Sequence, residues 1–531
     1  MQKIHQGQPE HFTTPDATLT SSFSSILFDD PCAGPGTTAA VAPDFFGDLN
    51  LDQIVDTVTE GRDEYNLKPF FYHPLTDPAV IVYRHEVIRD LEAEGLAQSI
   101  REFSVRMQRM RSHLSAAQSR YYRYEKKALF LEAVLIYGEA VETLQREMDH
   151  LHPVSRGLRA FRAYLATYTG GEYFQELVAL ARRLKALLAA IRYCLLIRGD
   201  SVTVTHYNGQ PDYSAVVEDT FAKFKKGAVT DYRVEFSPYS SLDHIGAQIL
   251  DRVALLYPDV FRMLDEFCAN HQDFFDPTIA RFDREIQFYI AWLEYMSRFR
   301  RAGLQFCYPL LSDESKNICC RDGFDLALAG KLINDGSKIV CNDFELTDGE
   351  RIIVVTGPNQ GGKTTFARMF GQMHYLARLG VPVPGTRARL FLCDRLFTHF
   401  DREEDITNLR SKLEDDLIRV HHILAAATPD SIIIINEIFS STTLKDSIFL
   451  SRKVMSQIAG LDALCVCVTF LDELASLNEK TVSFVAGILP DNVTLRTYKI
   501  ERRPPDGLAY AHAIAEKHRL TYEHLRKRLC P

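Results

Sequence analysis

Apolar positions along this chain follow two regimes that meet near residue 305. From residue 48 to about 192 they recur every three or four positions, in runs such as 100–118 and 121–148. That spacing predicts long helices packed as a bundle or lever. Pro74-Leu75-Thr76-Asp77-Pro78 predicts a turn, followed by a helix through Val87, Ile88 and Leu91. Between about 193 and 238 the character changes. Residues 201–207 alternate, Asn208-Gly209 marks a turn, and Tyr232-Arg233-Val234-Glu235-Phe236 alternates again, so a small strand-bearing insertion is expected. Helical spacing resumes from 241 to about 302. Beyond Leu304 short apolar runs alternate with helical stretches: Ile339-Val340-Cys341, residues 352–356, Leu390-Phe391-Leu392, residues 432–435 and residues 464–468. This order predicts an α/β unit built on a mostly parallel sheet.

The expected organisation is a disordered tail over 1–45, a helical core over 46–305 carrying the insertion at about 193–238, and an α/β nucleotide-binding unit over 306–531. The tail is rich in Ser, Thr, Pro, Ala and Gly. Within it Ser24-Ser25-Ile26-Leu27-Phe28 is a candidate docking segment. With 531 residues the chain can bury large cores, and 46% hydrophobic with 25% charged content fits a soluble globular protein. No apolar run approaches the roughly 18 residues of a membrane span, and the N-terminus lacks the basic-then-apolar order of a signal peptide. A cytoplasmic location is expected, associated with the nucleoid if the source is bacterial. The eleven cysteines form no C-x-x-C pair, so Cys319-Cys320 and Cys465-x-Cys467 read as buried thiols rather than ligands. A net charge of −9 excludes coating of nucleic acid by bulk charge but leaves room for a local basic face. Lys223, Lys225 and Lys226 beside Phe221, and Arg298, Arg300 and Arg301, are candidates for one, solvated surface being the plainer reading.

One stretch carries specific chemistry. Gly357-Pro358-Asn359-Gln360-Gly361-Gly362-Lys363-Thr364-Thr365 follows the apolar run 351–356 and precedes Phe366, Met369, Phe370, Met373 and Leu376 at helical spacing. Strand, glycine-rich turn and helix are the context of a phosphate-binding loop. Glycines there let successive amides point at a triphosphate, and the helix adds its positive end. Lys363 is placed to reach the β- and γ-phosphates of ATP, and the Thr364 hydroxyl to sit on Mg²⁺. Downstream, residues 432–435 read as a buried strand ending in Asn436-Glu437. A carboxylate there can polarise an attacking water, which makes Glu437 the candidate base; a helix-capping pair is the alternative.

These residues resemble a known family. GPNQGGKTT is similar to the GPNMGGKST loop of MutS-type mismatch-repair ATPases. Val381-Pro382-Val383-Pro384 with Cys393-Asp394-Arg395-Leu396-Phe397-Thr398 resembles that family's VPA…DRIFT segment, and Asn342-Asp343 its PND step. Asn436-Glu437-Ile438, Ser441-Thr442-Thr443 and Asp446 look like its DEIGRGTSTYDG block, and residues 469–474 like THYHEL. Residues 507–528 resemble its closing helix. The resemblance covers about 310–515. It implies an ABC-type ATPase that uses ATP and Mg²⁺ and works as a homodimer, each nucleotide held between one subunit's loop and the other's signature segment. Residues 410–416 resemble a diverged signature, with Ser411 on the serine that reaches the γ-phosphate; an ordinary charged helix start is the alternative. Thr364, Asn436 and Glu437 fall on the metal side, and Phe470 falls on the family's switch histidine.

Two departures bear on rate. Asn436 replaces an aspartate, and Phe470 can neither donate a hydrogen bond nor shuttle a proton, so slow hydrolysis is expected. No counterpart of the family's mismatch-reading module is seen ahead of the helical region; Phe174-Gln175-Glu176 has the letters of its wedge but lies in a helical run. The expectation is a short MutS-like protein whose ATP-driven closure embraces duplex, branched or mismatched DNA. The rival is an ATP-gated scaffold gripping a protein partner. A transporter subunit or small-molecule kinase fits poorly, for want of membrane-docking or acceptor-site motifs.

Overall fold

The computed structural model describes residues 23–29, 41–93, 95–211, 213–222, 242–401, 411–489, 492–505 and 520–529. The helical half opens with α1 (Leu51–Thr59), α2 (Lys68–Tyr72), α3 (Pro78–Glu92), α4 (Leu96–Ser119) and α5 (Arg123–Leu151). It continues through α6 (Arg156–Gly170) and α7 (Glu172–Ala189) to a hairpin of β1 (Tyr193–Arg198) and β2 (Ser201–His206). Helices α8 (Tyr213–Ala222), α9 (His244–Leu256), α10 (Pro258–Asn270) and α11 (Pro277–Arg301) follow. Starts are set by local chemistry. Asp77 and Asp276 accept amide hydrogen bonds as N-caps, each followed by a proline whose missing N–H costs nothing there.

The α/β half begins with β3 (Phe306–Cys307), β4 (Leu310–Ser312), β5 (Ile318–Gly323), α12 (Leu326–Asn334) and β6 (Asn342–Leu346). Next come β7 (Ile352–Thr356), α13 (Lys363–Arg378), β8 (Val383–Pro384), β9 (Arg387–Phe391) and β10 (Leu396–His399). Then α14 (Lys412–Ala426), β11 (Ile432–Asn436), α15 (Leu444–Leu461), β12 (Leu464–Val468), β13 (Thr481–Leu489) and β14 (Asn492–Arg502) complete the sheets, ahead of a helix over Tyr522–Leu529. The main sheet has the order β10-β11-β12-β7-β13-β14; the first five strands are parallel and β14 is antiparallel. A side sheet, β4-β9-β5-β6, lies against it. Strand alternation divides the main sheet between two cores. Ile353, Val355, Ile432, Ile434, Leu464 and Val466 face the core shared with α13 and the helical half. Ile352, Val354, Ile433, Ile435, Cys465 and Cys467 face α14 and α15.

Helix α13 is buried at 13 of its 16 residues. Its side chains hydrogen-bond the segment leading into the helical half: Arg368 Nε to Asp48 O (2.9 Å), Gln372 Nε2 to Leu49 O (2.9 Å) and Tyr375 Oη to Phe71 O (2.7 Å). The helix that follows the glycine-rich loop is thereby fixed to the helical core.

Several elements differ from expectation. Residues 23–29, placed in an unstructured tail, pack into the helical core, with Ile26 and Leu27 fully buried. Three successive apolar side chains bring them in; the candidate docking segment lies there. The hairpin turns at Gly199 (φ +61°), not at Asn208-Gly209, because residues 193–198 pair with 201–206. Its first strand was hidden by an unalternating sequence. The strand expected at 339–341 lies at Asn342–Leu346, where burial alternates. Strands β10, β13 and β14 were not read. The expected strand at 232–236, the basic cluster at 223–226 and the closing block's 507–519 lie outside the described residues. Phe174 is a buried core residue of α7. Among the described residues no helix is long and apolar enough to cross a membrane.

One surface carboxylate ties the far edge of the main sheet together. Asp462, in the left-handed conformation at the end of α15, accepts from Arg351 Nε (3.0 Å) and Lys480 Nζ (2.6 Å), with Lys316 Nζ 3.5 Å away. Partial burial opposes its charge, but the hydrogen bonds from Lys480 and Arg351 outweigh it and hold the carboxyl at about 2. A folded value below the unfolded one contributes stability above the unfolded range, near pH 4, that is lost as pH falls through about 2. Asp462→Asn keeps the left-handed residue preference and removes the charge. Because the side chain is about one-third exposed, screening limits the expected loss to about 1 kcal/mol at pH 7, vanishing near pH 2. Thermal melts of both proteins across pH 2–7 check this.

Candidate nucleotide site

Because β7, β12 and β11 run parallel and adjacent, their carboxyl ends open on one edge, and each delivers one part of the site there. The end of β7 leads into the loop 357–362, the end of β11 carries Asn436-Glu437, and the end of β12 leads to Thr469-Phe470.

The loop's shape requires its glycines. Gly357 has φ +112°, and a Cβ there would lie 3.0 Å from the Ala486 amide nitrogen on β13. At Gly361 a Cβ would meet Ala486 Cβ and Pro358 O at 2.9 Å. The loop is pressed against β13 on one side, which leaves its amides to the other. Gly361 N donates to Pro358 O at 3.2 Å, and Gln360 takes a left-handed φ of +58°. Helix α13 starts at Lys363 with Gly362 as its N-cap and no side-chain cap, so its first amides have no side-chain acceptor. Arg496 on β14 braces the loop by donating from Nε to Asn359 O at 3.2 Å. No motif in the sequence pointed to this arginine; only the antiparallel return of β14 brings it there.

Lys363 is buried beneath the loop. Its ammonium donates to Gly357 O at 2.8 Å and lies 3.7 Å from the centroid of the Phe470 ring. Burial lowers its pKa to about 8, with Glu437 and Asp472 partly offsetting that. A cation desolvated in this way gains strongly from an anion. Thr364 Oγ1 donates to Asn436 Oδ1 at 2.9 Å, joining the first turn of α13 to the end of β11. Glu437 also takes a left-handed φ, +58°, and its amide donates to Val468 O on β12 at 2.9 Å. Burial raises its carboxyl pKa, Lys363 lowers it, and Asp401 adds to the rise.

The structure brings Gly357, Pro358, Asn359, Gln360, Gly361, Gly362, Lys363, Thr364, Thr365, Asn436, Glu437 and Phe470 to this edge. Ser411 does another job in a single subunit: it is the N-cap of α14, accepting from Glu414 N at 3.3 Å. This is the helix-start alternative; Arg410 lies outside the described residues. Thr443 caps α15, accepting from the Asp446 amide and donating its hydroxyl to the Asp446 carboxylate, which explains that part of its block as a helix N-cap. Asn342 bridges β6 to β14, through Tyr498 O (3.1 Å) and the Ile500 amide (2.7 Å).

The donors fit a magnesium nucleotide. A turn whose Cβ positions are sterically closed, uncapped helical amides and a buried ammonium suit a polyphosphate. The Thr364 hydroxyl, the Asn436 amide oxygen and the Glu437 carboxylate form an all-oxygen set, as Mg²⁺ requires.

Comparison with known proteins bears on the same region. Residues 353–517 match MutS domain V. Over 179 residues the chain is 32% identical to the DNA mismatch repair protein MutS 2 of Halobacterium salinarum, covering 34% of this chain and 20% of that protein. Over 166 residues it is 31% identical to the DNA mismatch repair protein MutS of Zymomonas mobilis, covering 30% of this chain and 19% of that one. The matched stretch thus spans about a fifth of each of these curated relatives. Over this stretch the chain is similar to MutS domain V and to proteins of the MutS family.

Proposed function

We propose that this chain is an ATP-dependent DNA-binding protein in which ATP binding and hydrolysis by paired subunits drive closure around duplex, branched or mismatched DNA. One observation carries the reading: the loop with Lys363 and Thr364, the Asn436-Glu437 pair and Phe470 converge on one sheet edge within a domain that matches MutS domain V. In this reading Lys363 and the loop amides bind the phosphates of ATP. Thr364, Asn436 and Glu437 hold Mg²⁺, which when bound neutralises phosphate charge. Glu437 accepts the proton of the attacking water, for which a raised pKa near the end of a strand suits it. Asn436 supplies an oxygen without charge and Phe470 supplies no proton, so turnover is slow. Ser411, at the head of α14, contacts the γ-phosphate of the partner's nucleotide. A cytoplasmic site of action goes with this role.

A specific observation favours a second reading, an ATP-gated scaffold for a protein partner. The β1–β2 hairpin of the strand-bearing insertion exposes Leu195, Leu196, Ile197 and Val202, an apolar surface rather than a basic one. Gel shifts with linear, forked and four-way DNA, with and without ATP, at two salt concentrations separate the readings. The DNA reading expects a shift that weakens steeply with salt. Absence of any shift at low salt favours the scaffold.

A further inference from the structure

The helical core holds a stretch of its own N-terminus as a receptor holds a peptide. Residues 23–29 belong to no helix or strand, yet their backbone is recognised atom by atom from two helices. The carbonyl of Ser24 accepts from Arg281 (2.9 Å), that of Ser25 from Tyr83 Oη (2.7 Å), that of Ile26 from Tyr289 Oη (2.7 Å) and that of Leu27 from Arg84 Nε (3.1 Å). Glu285 accepts both the Ile26 amide (3.0 Å) and the Ser25 hydroxyl (2.9 Å).

We infer that the cleft between α3, α6 and α11 is a peptide-binding site for a Ser-apolar-apolar-apolar segment, and that residues 25–28 are its ligand in cis. The cleft's composition supports this. A buried carboxylate, guanidinium and two phenols are costly unless each meets a partner. Here the partners come from the peptide. Ser25 is selected because its Oγ also accepts from the amides of Leu27 (3.0 Å) and Phe28 (3.2 Å), folding the segment into the cleft. The apolar positions are selected by burial: Ile26 and Leu27 are fully enclosed, and the Phe28 ring lies 4.9 Å from the Arg84 guanidinium. Phe23 packs on Phe161 of α6, with ring centroids 5.0 Å apart.

The site also touches the nucleotide domain. Arg84, while it grips Leu27, donates from its other arm to Leu379 O (2.8 Å), just past the end of α13. What fills the cleft therefore sets the anchorage of that helix at the end opposite Lys363.

The test uses the full chain with a protease site inserted between residues 31 and 39, cut after folding, and a fluorescent synthetic peptide of residues 20–31. The inference expects the cut fragment to co-elute with the body at micromolar concentration. Excess peptide is expected to displace it and to label the body one to one. A peptide carrying Ser25→Ala and Ile26→Pro, which lacks both donors to Glu285, is expected to compete about 10- to 100-fold less well. Two results overturn it. One is a fragment that separates on dilution with an unchanged melting temperature and no peptide uptake. The other is a fragment that never exchanges against a large excess of peptide, or whose release unfolds the body, since either makes the segment an integral part of the core.

Discussion

Lys363→Ala is expected to weaken ATP binding by at least about 100-fold, some 3 kcal/mol, while leaving the fold intact. The effect is electrostatic. The ammonium is desolvated under the loop, with a carbonyl and an aromatic face as its recorded neighbours, so it gives up little hydration when a phosphate oxygen becomes its partner. Charge-assisted hydrogen bonds in such surroundings are the strong ones. Stability moves the other way or not at all, because alanine removes a buried charge and is the best helix former at the start of α13. Isothermal titration with a non-hydrolysable analogue, alongside a thermal melt, checks both halves. Unchanged affinity in a folded variant ends the phosphate-cradle assignment.

Glu437→Gln is expected to preserve nucleotide binding and lower the hydrolysis rate about 10²- to 10⁴-fold, the range for removing a positioned base. The substitution is nearly isosteric, and glutamine bears the left-handed φ of +58° no worse than glutamate. Loss of rate therefore reports loss of the carboxylate, as proton acceptor and Mg²⁺ ligand, rather than backbone rearrangement. The variant should also accumulate as a nucleotide-bound dimer, which size-exclusion chromatography with light scattering detects. Hydrolysis at the parental rate excludes Glu437 from the role. Since Asn436 and Phe470 already depress turnover in the proposed mechanism, the assay must be run as a single turnover with sensitivity below one event per hour.

The candidate nucleotide site was legible because each part is contiguous. A loop of nine residues writes its own conformation in glycines, and strands β7, β11 and β12 announce themselves as unbroken apolar runs bounded by polar residues. What the sequence hid was contact between distant parts. Arg496 supports Asn359 from 137 positions away. The cleft for residues 23–29 draws Tyr83, Arg84 and Glu285 from helices up to 260 positions along the chain, and seven irregular residues carry no period to read. The hairpin was half seen for a related reason: β2 alternates, but β1, with Cys194-Leu195-Leu196-Ile197 in a row, does not. Ser411 shows the opposite limit. A serine before an acidic turn is a sufficient N-cap by itself, so motif letters alone do not separate a local job from one performed on a neighbour.

Helix α13 is clasped along its length by the carbonyls of Asp48, Leu49 and Phe71, and this has a mechanical corollary. A rotation of the glycine-rich loop and α13 would carry the helical half with it, as a crank turns a shaft. Helices α4 and α5, 24 and 29 residues long, reach roughly 36 and 44 Å at the usual rise per residue. On such a rod a pivot of about 5° would sweep the distal end through roughly 4 Å, so in the proposed closure a small rotation of α13 is enough for a large displacement.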